Sequence, residues 1–400
     1  MKRILEQLET AGHQAYAVGG CVRDSLLERV PEDWDITTSA LPEEVKALFR
    51  RTIDTGIQHG TVTVLMPDPD KSSGFEGYEV TTYRIDGEYK DGRHPDKVIF
   101  TPSLHEDLAR RDFTINAMAV NAGGDLVDDF SGLEDLEKKV IRAVGNAEHR
   151  FEEDALRMLR ALRFSAQLGF CIEESTRQAV CKLSERIRHV SKERIAVELT
   201  KLLMSDRPWM IEAVFETGLA KYLTEEFCGI HYEHRMPDGL PRKKGVRWGI
   251  FLRNDPCMVR TVLRKLKMDN ETINEAENIA GLFQKELPAD AEGNPDAYRT
   301  RKLLSEYGFV LYSDYLDARK CVSSGTKDIA VTDAVRSLVE KIIADKDCIT
   351  LKELAISGGD LMSYGIPRGP EIGRVLNLLL DDVLHDPEHN KKEYLSRLLS

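Results

Sequence analysis

The sequence predicts an α+β fold: a small mixed-sheet domain at the N-terminus, followed by helical domains to the C-terminus. Short β-rich runs alternate with helical ones only as far as Val144. From Ala147 onward, apolar residues recur almost continuously at helical spacing. The length of 400 residues leaves room for two to four domains with substantial cores.

Taken in order, Ile4–Ala11 reads as a short amphipathic helix and Ala15–Val18 as an apolar strand. Gly19-Gly20 makes a tight turn, and Cys21–Leu27 is amphipathic and helical. The run Asp33-Trp34-Asp35-Ile36 reads as a second strand. Residues i and i+2 of a strand share a face, so Asp33 and Asp35 would project together while Trp34 and Ile36 enter the core. Thr38 or Ser39 would cap a helix opening at Pro42-Glu43-Glu44 and ending near Phe49–Arg51. His59–Leu65 and Tyr78–Arg84 read as paired strands across a polar turn, and Ile85–Lys97 as a charged loop. Leu104–Leu108 is helical, Ala122–Asp125 a hairpin turn, Leu126–Phe130 a strand, Leu133–Lys139 a helix and Val140–Val144 a last strand. One helix is expected over Ala147–Leu168, a Ser191-capped helix after it, and further helices over Pro208–Leu223 and Val259–Lys267.

Composition narrows the functional classes. Lys plus Arg number 56 against 68 Asp plus Glu, a net charge of −12, which excludes nonspecific coating of nucleic acid but not a local basic groove. Seven scattered cysteines without a Cys-x-x-Cys argue against a disulfide framework or a zinc site and for reduced thiols in a cytoplasmic protein. Nothing in the sequence reads as a signal peptide or membrane span. His231 and His234 lack an acidic partner at metal-ligand spacing.

Three stretches carry chemistry. Two carboxylates on one strand face repel unless a cation sits between them, and a hard divalent ion such as Mg²⁺ suits their oxygens. A solvated strand edge is the plainer alternative. The Gly19-Gly20 turn and the helix after it offer backbone N–H groups to a phosphate. In Arg110-Arg111-Asp112, adjacent arginines on a helix face different ways, so the two are not expected to serve one salt bridge. One guanidinium could grip a triphosphate, or both could be surface charge. In Glu153-Asp154-Ala155-Leu156-Arg157, Asp154 and Arg157 are helix neighbours. They form either an ordinary ion pair or a base-reading pair, the carboxylate accepting from the amino group of C or A and the guanidinium donating to the ring nitrogen. Intermittent basic runs (Arg242–Lys244, Arg260, Arg264, Lys265, Lys267, Arg299, Arg301, Lys302) are solvated faces or places for an RNA backbone. The same two readings apply to Gly365–Gly373, as a helix connection or a phosphate contact.

Val18-Gly19-Gly20-Cys21-Val22-Arg23-Asp24, Asp33-Trp34-Asp35-Ile36, Glu79-Val80-Thr81-Thr82, Arg110–Ala117 and Glu153–Arg157 occur in this order. As a set they resemble the bacterial class II tRNA nucleotidyltransferases, the CCA-adding enzymes of the polymerase β-like superfamily. The motifs span roughly the first half of the chain, and the tail around Gly359–Gly373 is similar too. The resemblance implies a nucleotidyltransferase head (1–146), a helical neck with a base-selection helix (147–200), a body (201–327) and a tRNA-binding tail (328–400). It implies template-independent addition of C, C and A to the 3′ end of tRNA from CTP and ATP, by a monomer or homodimer. Asp33 and Asp35 would be catalytic and would hold Mg²⁺, with Glu79 as a third carboxylate. Gly19, Gly20, Arg23, Arg111, Asp112 and Asn116 would bind the nucleotide. Asp154 and Arg157 would select the base, with Glu153 and Arg160 beside them. The neighbouring activities are an A-adding-only enzyme, a bacterial poly(A) polymerase and a non-catalytic tRNA-binding protein. Gly56–Val62 and both aspartates favour the first assignment over the last two, and the presence of the Ile85–Lys97 loop disfavours a CC-only enzyme. That loop would act as a lever for A addition. No second, phosphohydrolase activity is expected.

Overall fold

The computed structural model describes residues 1–71, 73–86, 98–230, 236–323 and 325–399. The chain forms two compact units, 1–229 with 265–267 and 230–264 with 268–400.

The first unit opens with α1 (Lys2–Thr10), β1 (Ala15–Val18), α2 (Gly20–Leu26), β2 (Asp35–Thr38) and α3 (Pro42–Leu48). Strands β3 (Thr52–Gly56), β4 (Thr61–Pro67), β5 (Phe75–Thr82), β6 (Arg84–Asp86) and β7 (Val98–Phe100) follow. Then come α4 (Leu104–Ala109), β8 (Ala119–Val120), β9 (Leu126–Val127), α5 (Gly132–Glu137) and β10 (Val140–Ile141). Seven strands form a mixed sheet in the order β3-β4-β5-β2-β1-β8-β9. β2 and β5 run parallel, with Asp35 opposite Glu79 and Ile36 opposite Val80. β1 pairs antiparallel with both β2 and β8.

A buried cluster of Val18, Leu108, Ala117, Ala119 and Val144 lies behind this sheet region, with Tyr16, Leu104, Val127 and Phe130 against it. Each of three chemical segments is tied to that cluster by an adjacent residue: Gly19 by Val18, Asp107 by Leu108, Asn116 by Ala117. Close packing there holds the three segments at fixed separations.

Several expectations are corrected. The second strand starts at Asp35, not Asp33, and Trp34 is half-buried rather than in the core. β1 ends at Val18, where Gly19 turns the chain, so residues before Asp35 have no β1 backbone to pair with. β3 was not expected; its side chains are mostly exposed, so it shows no apolar alternation. Neither Thr38 nor Ser39 caps α3. The Glu44 carboxylate accepts from the Leu41 N–H at 2.7 Å, while the Thr38 hydroxyl donates to the Gln14 carbonyl at 2.6 Å. The helix expected over Ala147–Leu168 is two, α6 (Ala147–Glu153) and α7 (Leu156–Leu168). They break at Asp154, which has φ −140° and whose Oδ1 accepts from the Leu156 N–H at 3.1 Å.

β11 (Cys171–Ile172) pairs with β10, and α8 (Glu174–Leu183) and α9 (Lys192–Leu203) follow. Ser191 sits at the N-cap of α9 without a capping side-chain bond. The helix expected over Pro208–Leu223 is a 3₁₀ turn, Pro208–Ile211, and two short helices, Glu212–Glu216 and Ala220–Leu223. Gly218, at φ +79°, separates the helices. α7 is buried around most of its circumference and is the central helix of this part.

The second unit is helical. Helices Lys244–Phe251 and Asn270–Phe283 meet at Gly249, where a Cβ would lie 2.7 Å from the Ala276 carbonyl oxygen. Only glycine permits that approach. Helices Ala297–Tyr307, Phe309–Val322, Thr326–Ala344 and Pro370–His385 complete most of it. Most residues of the Ile85–Lys97 loop, and both His231 and His234, lie outside the described residues. No described helix is long and apolar enough to cross a membrane.

Candidate nucleotide-binding site

A cleft of about 450 Å³ opens where β1, β2, the segment after α4, and helices α7 and α9 converge. Its lining holds seven arginines against three aspartates, a cationic concavity in an acidic chain.

Asp35 and Glu79 sit in register on neighbouring parallel strands, so their side chains share a face. Loss of hydration at the cleft wall pushes the Asp35 carboxyl above its usual range, with Arg111 pulling it down and Asp33 adding to the rise. Glu79 is also pushed up, first by lost hydration and then by Asp35 and Asp33. The Asp33 charge thus acts on both Asp35 and Glu79, and that of Asp35 on Glu79. Among the described residues, however, no three His, Cys, Asp or Glu side chains could enclose a metal ion by themselves. Oxygen donors from a bound ligand would have to complete a coordination shell.

Gly19 has φ +83°, and a Cβ there would lie 3.2 Å from Arg111 Nη1. The turn needs glycine both for its backbone angle and to admit the guanidinium. Both Arg110 and Arg111 serve one carboxylate, contrary to expectation. Arg110 donates to Asp107 Oδ1 at 3.0 and 2.8 Å, and Arg111 to Oδ2 at 3.2 Å. They stand at i+3 and i+4 from Asp107, and both positions are helix neighbours. Asp107 is fully buried and also accepts from the Thr37 hydroxyl at 3.1 Å. Burial pushes its carboxyl up, but Arg110 and Arg111 outweigh that and hold it low. Arg111 Nε is buried without a partner, an N–H left for an acceptor in the cleft.

Arg23 donates twice to Asp24, at 2.9 and 2.8 Å, and once to Asn116 Oδ1 at 2.8 Å. Asn116 donates to Asp112 at 3.1 Å, and Arg160 meets the other Asp112 oxygen at 2.7 Å. Burial raises the Asp112 carboxyl, but Arg160, Asn116 and Arg157 bring it down to about 2. Arg23, Asp112 and Asn116 thus form a connected scaffold across the cleft wall. Phe164 lies beneath it, with the guanidiniums of Arg163, Arg23 and Arg160 at 3.8, 5.0 and 5.3 Å from its ring centre.

Asp154 and Arg157 both line the cleft, but their side chains do not pair with each other. Arg157 donates to Glu153 at 2.6 Å and to the Arg150 and Arg110 carbonyls at 3.2 and 2.9 Å. Asp154 accepts from Arg194. Arg194, Arg163, Phe164 and Glu198, which accepts from Arg163 at 2.6 Å, escaped the sequence reading. Arg157, Arg160 and Arg163 recur every third residue along α7, a spacing that could have exposed Arg163. Arg194 comes from another helix, and no local pattern marks it.

Comparison with known proteins follows the same lines. A family model described as the poly A polymerase head domain matches residues 15–142. One described as a probable RNA and SrmB-binding site of polymerase A matches 169–229, and one described as a putative tRNA nucleotidyltransferase domain 2 matches 249–399. A CCA-adding enzyme of Bacillus velezensis is 40% identical over an alignment covering 98% of this chain and 96% of that protein. One from a Geobacillus species is 39% identical, covering 99% and 95%. The crystal structure of the Bacillus stearothermophilus CCA-adding enzyme in complex with CTP superposes with a TM-score of 0.81 at 32% identity, covering 100% and 95%. The Thermotoga maritima CCA-adding enzyme complexed with tRNA shares the fold, with a TM-score of 0.64 at 21% identity over 100% and 93% of the two chains.

Proposed function

This chain belongs to the CCA-adding enzymes, a family of nucleotidyltransferases, and on that premise we propose that it adds C, C and then A to the 3′ end of tRNA without a template. CTP and ATP are the donors, and the tRNA 3′-oxygen displaces pyrophosphate from the α-phosphate. The observation that carries this reading is the unpartnered Arg111 Nε–H beside the Gly19 turn and the Asp35–Glu79 pair. A cationic donor thus faces the carboxylates across a space fit for a triphosphate.

In this reading Asp33, Asp35 and Glu79 hold Mg²⁺. Their hard oxygens suit that ion, and the Asp35 and Glu79 carboxyls, raised first by lost hydration and then by neighbouring carboxylates, are ones whose charged form a cation favours. Bound there, Mg²⁺ supplies a lowered pKa for the attacking hydroxyl and charge compensation for the phosphates. Arg111 and the Gly19-Gly20 backbone bind and orient the triphosphate. Arg23, Asp112 and Asn116 keep the cleft wall in place through their mutual hydrogen bonds.

Asp154 and Arg157 read the base edge. Cytosine and adenine present an amino donor beside a ring-nitrogen acceptor, whereas uracil and guanine present a carbonyl in place of the amino group. An Asp acceptor beside an Arg donor therefore leaves buried polar groups unpaired with U or G. Glu153 steadies Arg157 by its ion pair, and Arg160, bonded to Asp112, lines the cleft beside them. The division into head (1–146), neck (147–200), body (201–327) and tail (328–400) is retained as a functional proposal. The cytoplasm is the proposed compartment, in keeping with seven free cysteines.

The test incubates the protein and Mg²⁺ with tRNA transcripts ending before CCA, after C and after CC, with CTP, ATP, both or UTP. Completion to CCA followed by a stop supports the proposal. Addition of A only to the CC-ending transcript makes it an A-adding enzyme, and an open A ladder a poly(A) polymerase.

A further inference from the structure

We propose that Thr37 is a positioning residue for triphosphate binding: through one oxygen of Asp107, its hydroxyl keeps the Arg111 guanidinium in register with the strand that carries Asp35. The proposal rests on the assignment of Arg111 to the triphosphate and adds to it what aims that guanidinium.

Thr37 stands two residues after Asp35 on β2, on the same face of the strand and about 7 Å along it. It is fully buried, so it touches no substrate. Its partner on β5 is Thr81, as Glu79 is the partner of Asp35. The Thr37 hydroxyl has one proton and two acceptors within reach, the Thr81 carbonyl oxygen at 3.3 Å and Asp107 Oδ2 at 3.1 Å. The nearer acceptor is a charged carboxylate, which makes the stronger bond. A strand interior favours the β-branched shape of threonine, but valine supplies that shape without burying a hydroxyl. The hydroxyl is accounted for by the buried carboxylate it meets.

The two oxygens of Asp107 keep different company. Oδ2 accepts from the Thr37 hydroxyl and from Arg111 Nη2 at 3.2 Å. Oδ1 accepts twice from Arg110, at 3.0 and 2.8 Å, and from the Arg84 N–H at 3.4 Å. Arg110 in turn gives its carbonyl to Arg157, on the base-reading side, at 2.9 Å. One oxygen therefore serves the phosphate grip and the other the base-reading side. On the Oδ2 side, Arg111 has Nη1 close to Gly19 and Nη2 on Asp107, and its Nε–H is the donor left over. A planar guanidinium held at Nη2 by an anchored oxygen has the direction of its Nε–H fixed as well. Without the Thr37 hydroxyl, the Oδ2–Arg111 pair loses its tie to β2 and can shift relative to Asp35.

The experiment titrates inorganic tripolyphosphate, with Mg²⁺, into the full-length parent, Thr37→Val and Thr37→Ser by calorimetry. It also measures the KM for CTP and ATP and the CTP-to-UTP ratio of kcat/KM. Thr37→Val keeps the branched shape and loses the hydroxyl, and Thr37→Ser does the reverse. In Thr37→Val, tripolyphosphate binding should weaken about tenfold, with the KM for CTP and ATP rising together by that factor. The CTP-to-UTP ratio should stay within about twofold of the parent, because the Oδ1 side is untouched. Thr37→Ser should bind tripolyphosphate like the parent even where it melts lower. Unchanged tripolyphosphate affinity in Thr37→Val, or a loss that merely follows melting temperature in both variants, overturns the proposal. A CTP-to-UTP ratio that falls as far as the tripolyphosphate affinity also overturns it, since the two oxygens would then act as one. Should Thr37→Val not fold, Thr37→Ala against Thr37→Ser decides, and equal affinity of those two overturns it. A parent that extends no tRNA removes the CCA reading but leaves the tripolyphosphate titration, which reads the Arg111 grip directly. A parent that extends tRNA but binds no tripolyphosphate removes the phosphate assignment of Arg111, and this proposal with it.

Discussion

Arg194 holds Asp154 through two hydrogen bonds, at 3.3 and 2.7 Å, although the residues stand 40 apart in the chain. The carboxylate assigned to reading the base amino group is thus oriented by a guanidinium on another helix. A lysine cannot reproduce that two-point contact. Arg194→Lys is expected to lower the preference for CTP over UTP about tenfold, and Arg194→Ala about 10- to 100-fold, matching the loss of a charged hydrogen bond of about 1.5–3 kcal/mol. The ratio of kcat/KM for the two nucleotides measures it. An unchanged ratio would show that Asp154 does not need Arg194 for base choice.

Asp107 ties the two halves of the cleft together. Its carboxylate binds Arg110 and Arg111, and the Arg110 carbonyl accepts from Arg157 at 2.9 Å. Asp107→Asn leaves two guanidiniums short of their counter-charge in a buried place. Breaking such a network costs about 3–5 kcal/mol. A lower melting temperature is expected, together with a raised KM for both ATP and CTP, because Arg111 loses its anchor. Were stability to fall with nucleotide KM unchanged, Asp107 would be structural only.

Asp35 is the carboxylate that the proposed chemistry needs most. Asp35→Asn keeps the shape and removes the charge, so kcat is expected to fall about a thousandfold or more, several kcal/mol of barrier. The tRNA dissociation constant should stay within about twofold. Chelation of divalent ions should silence the parent protein in the same way, with recovery on adding Mg²⁺. Substantial turnover by the variant would take Asp35 out of the metal site.

What the sequence makes legible is what local pattern encodes. The β1–Gly19-Gly20–α2 unit, the apolar Val18 and Ile36, and the segment carrying Arg111, Asp112 and Asn116 are read within a few residues because each is one continuous stretch. The break at Asp154 is not legible, since a helical apolar period runs through it. The helix stops at Asp154, whose backbone is extended and whose side chain accepts from the Leu156 N–H. The shared use of Asp107 by Arg110 and Arg111 is missed for a related reason. Adjacent residues diverge in direction, yet long guanidinium arms at i+3 and i+4 can return to one point. Arg194 and Glu198 depend on how α9 packs against α7, which no local periodicity states.

Acid sensitivity has a local source in Glu173. Its carboxylate accepts from the Thr176 N–H at 2.8 Å, the Thr176 hydroxyl at 2.9 Å and the Ser175 hydroxyl at 2.7 Å, capping α8. Partial burial raises its pKa, but these bonds outweigh that and bring it down to about 2. A carboxylate with a lowered folded-state pKa stabilises fully above its unfolded value, about 4.3, and the contribution fades as the pH falls toward about 2. Glu173→Gln should therefore lower stability near neutral pH by about 0.5–2 kcal/mol, the worth of a cap. The gap between parent and variant in denaturant titrations should narrow below about pH 4. A gap independent of pH would mean that packing, not charge, sets the cost.

Gly19 and Gly20 look interchangeable in the sequence but differ in what a methyl group would meet. At Gly19, φ is +83°, and a Cβ would lie 3.2 Å from Arg111 Nη1. At Gly20, which opens α2, the nearest atom to a Cβ is Arg23 Nη2 at 3.7 Å, an ordinary contact. Gly19→Ala should thus cost about 1–3 kcal/mol in backbone strain and displace the Arg111 guanidinium by a few tenths of an ångström. That displacement acts on a group already held to Asp107 by a 3.2 Å bond, so it should loosen the phosphate grip rather than merely crowd it. The expected outcome is a melting temperature lower by a few degrees and a KM for ATP and CTP raised about tenfold. Gly20→Ala should leave the melting temperature level or raise it, since alanine is the better helix residue by about 1 kcal/mol. Equal destabilisation by the two substitutions would mean that the strained angle and the Arg111 contact at Gly19 are not what fixes glycine there.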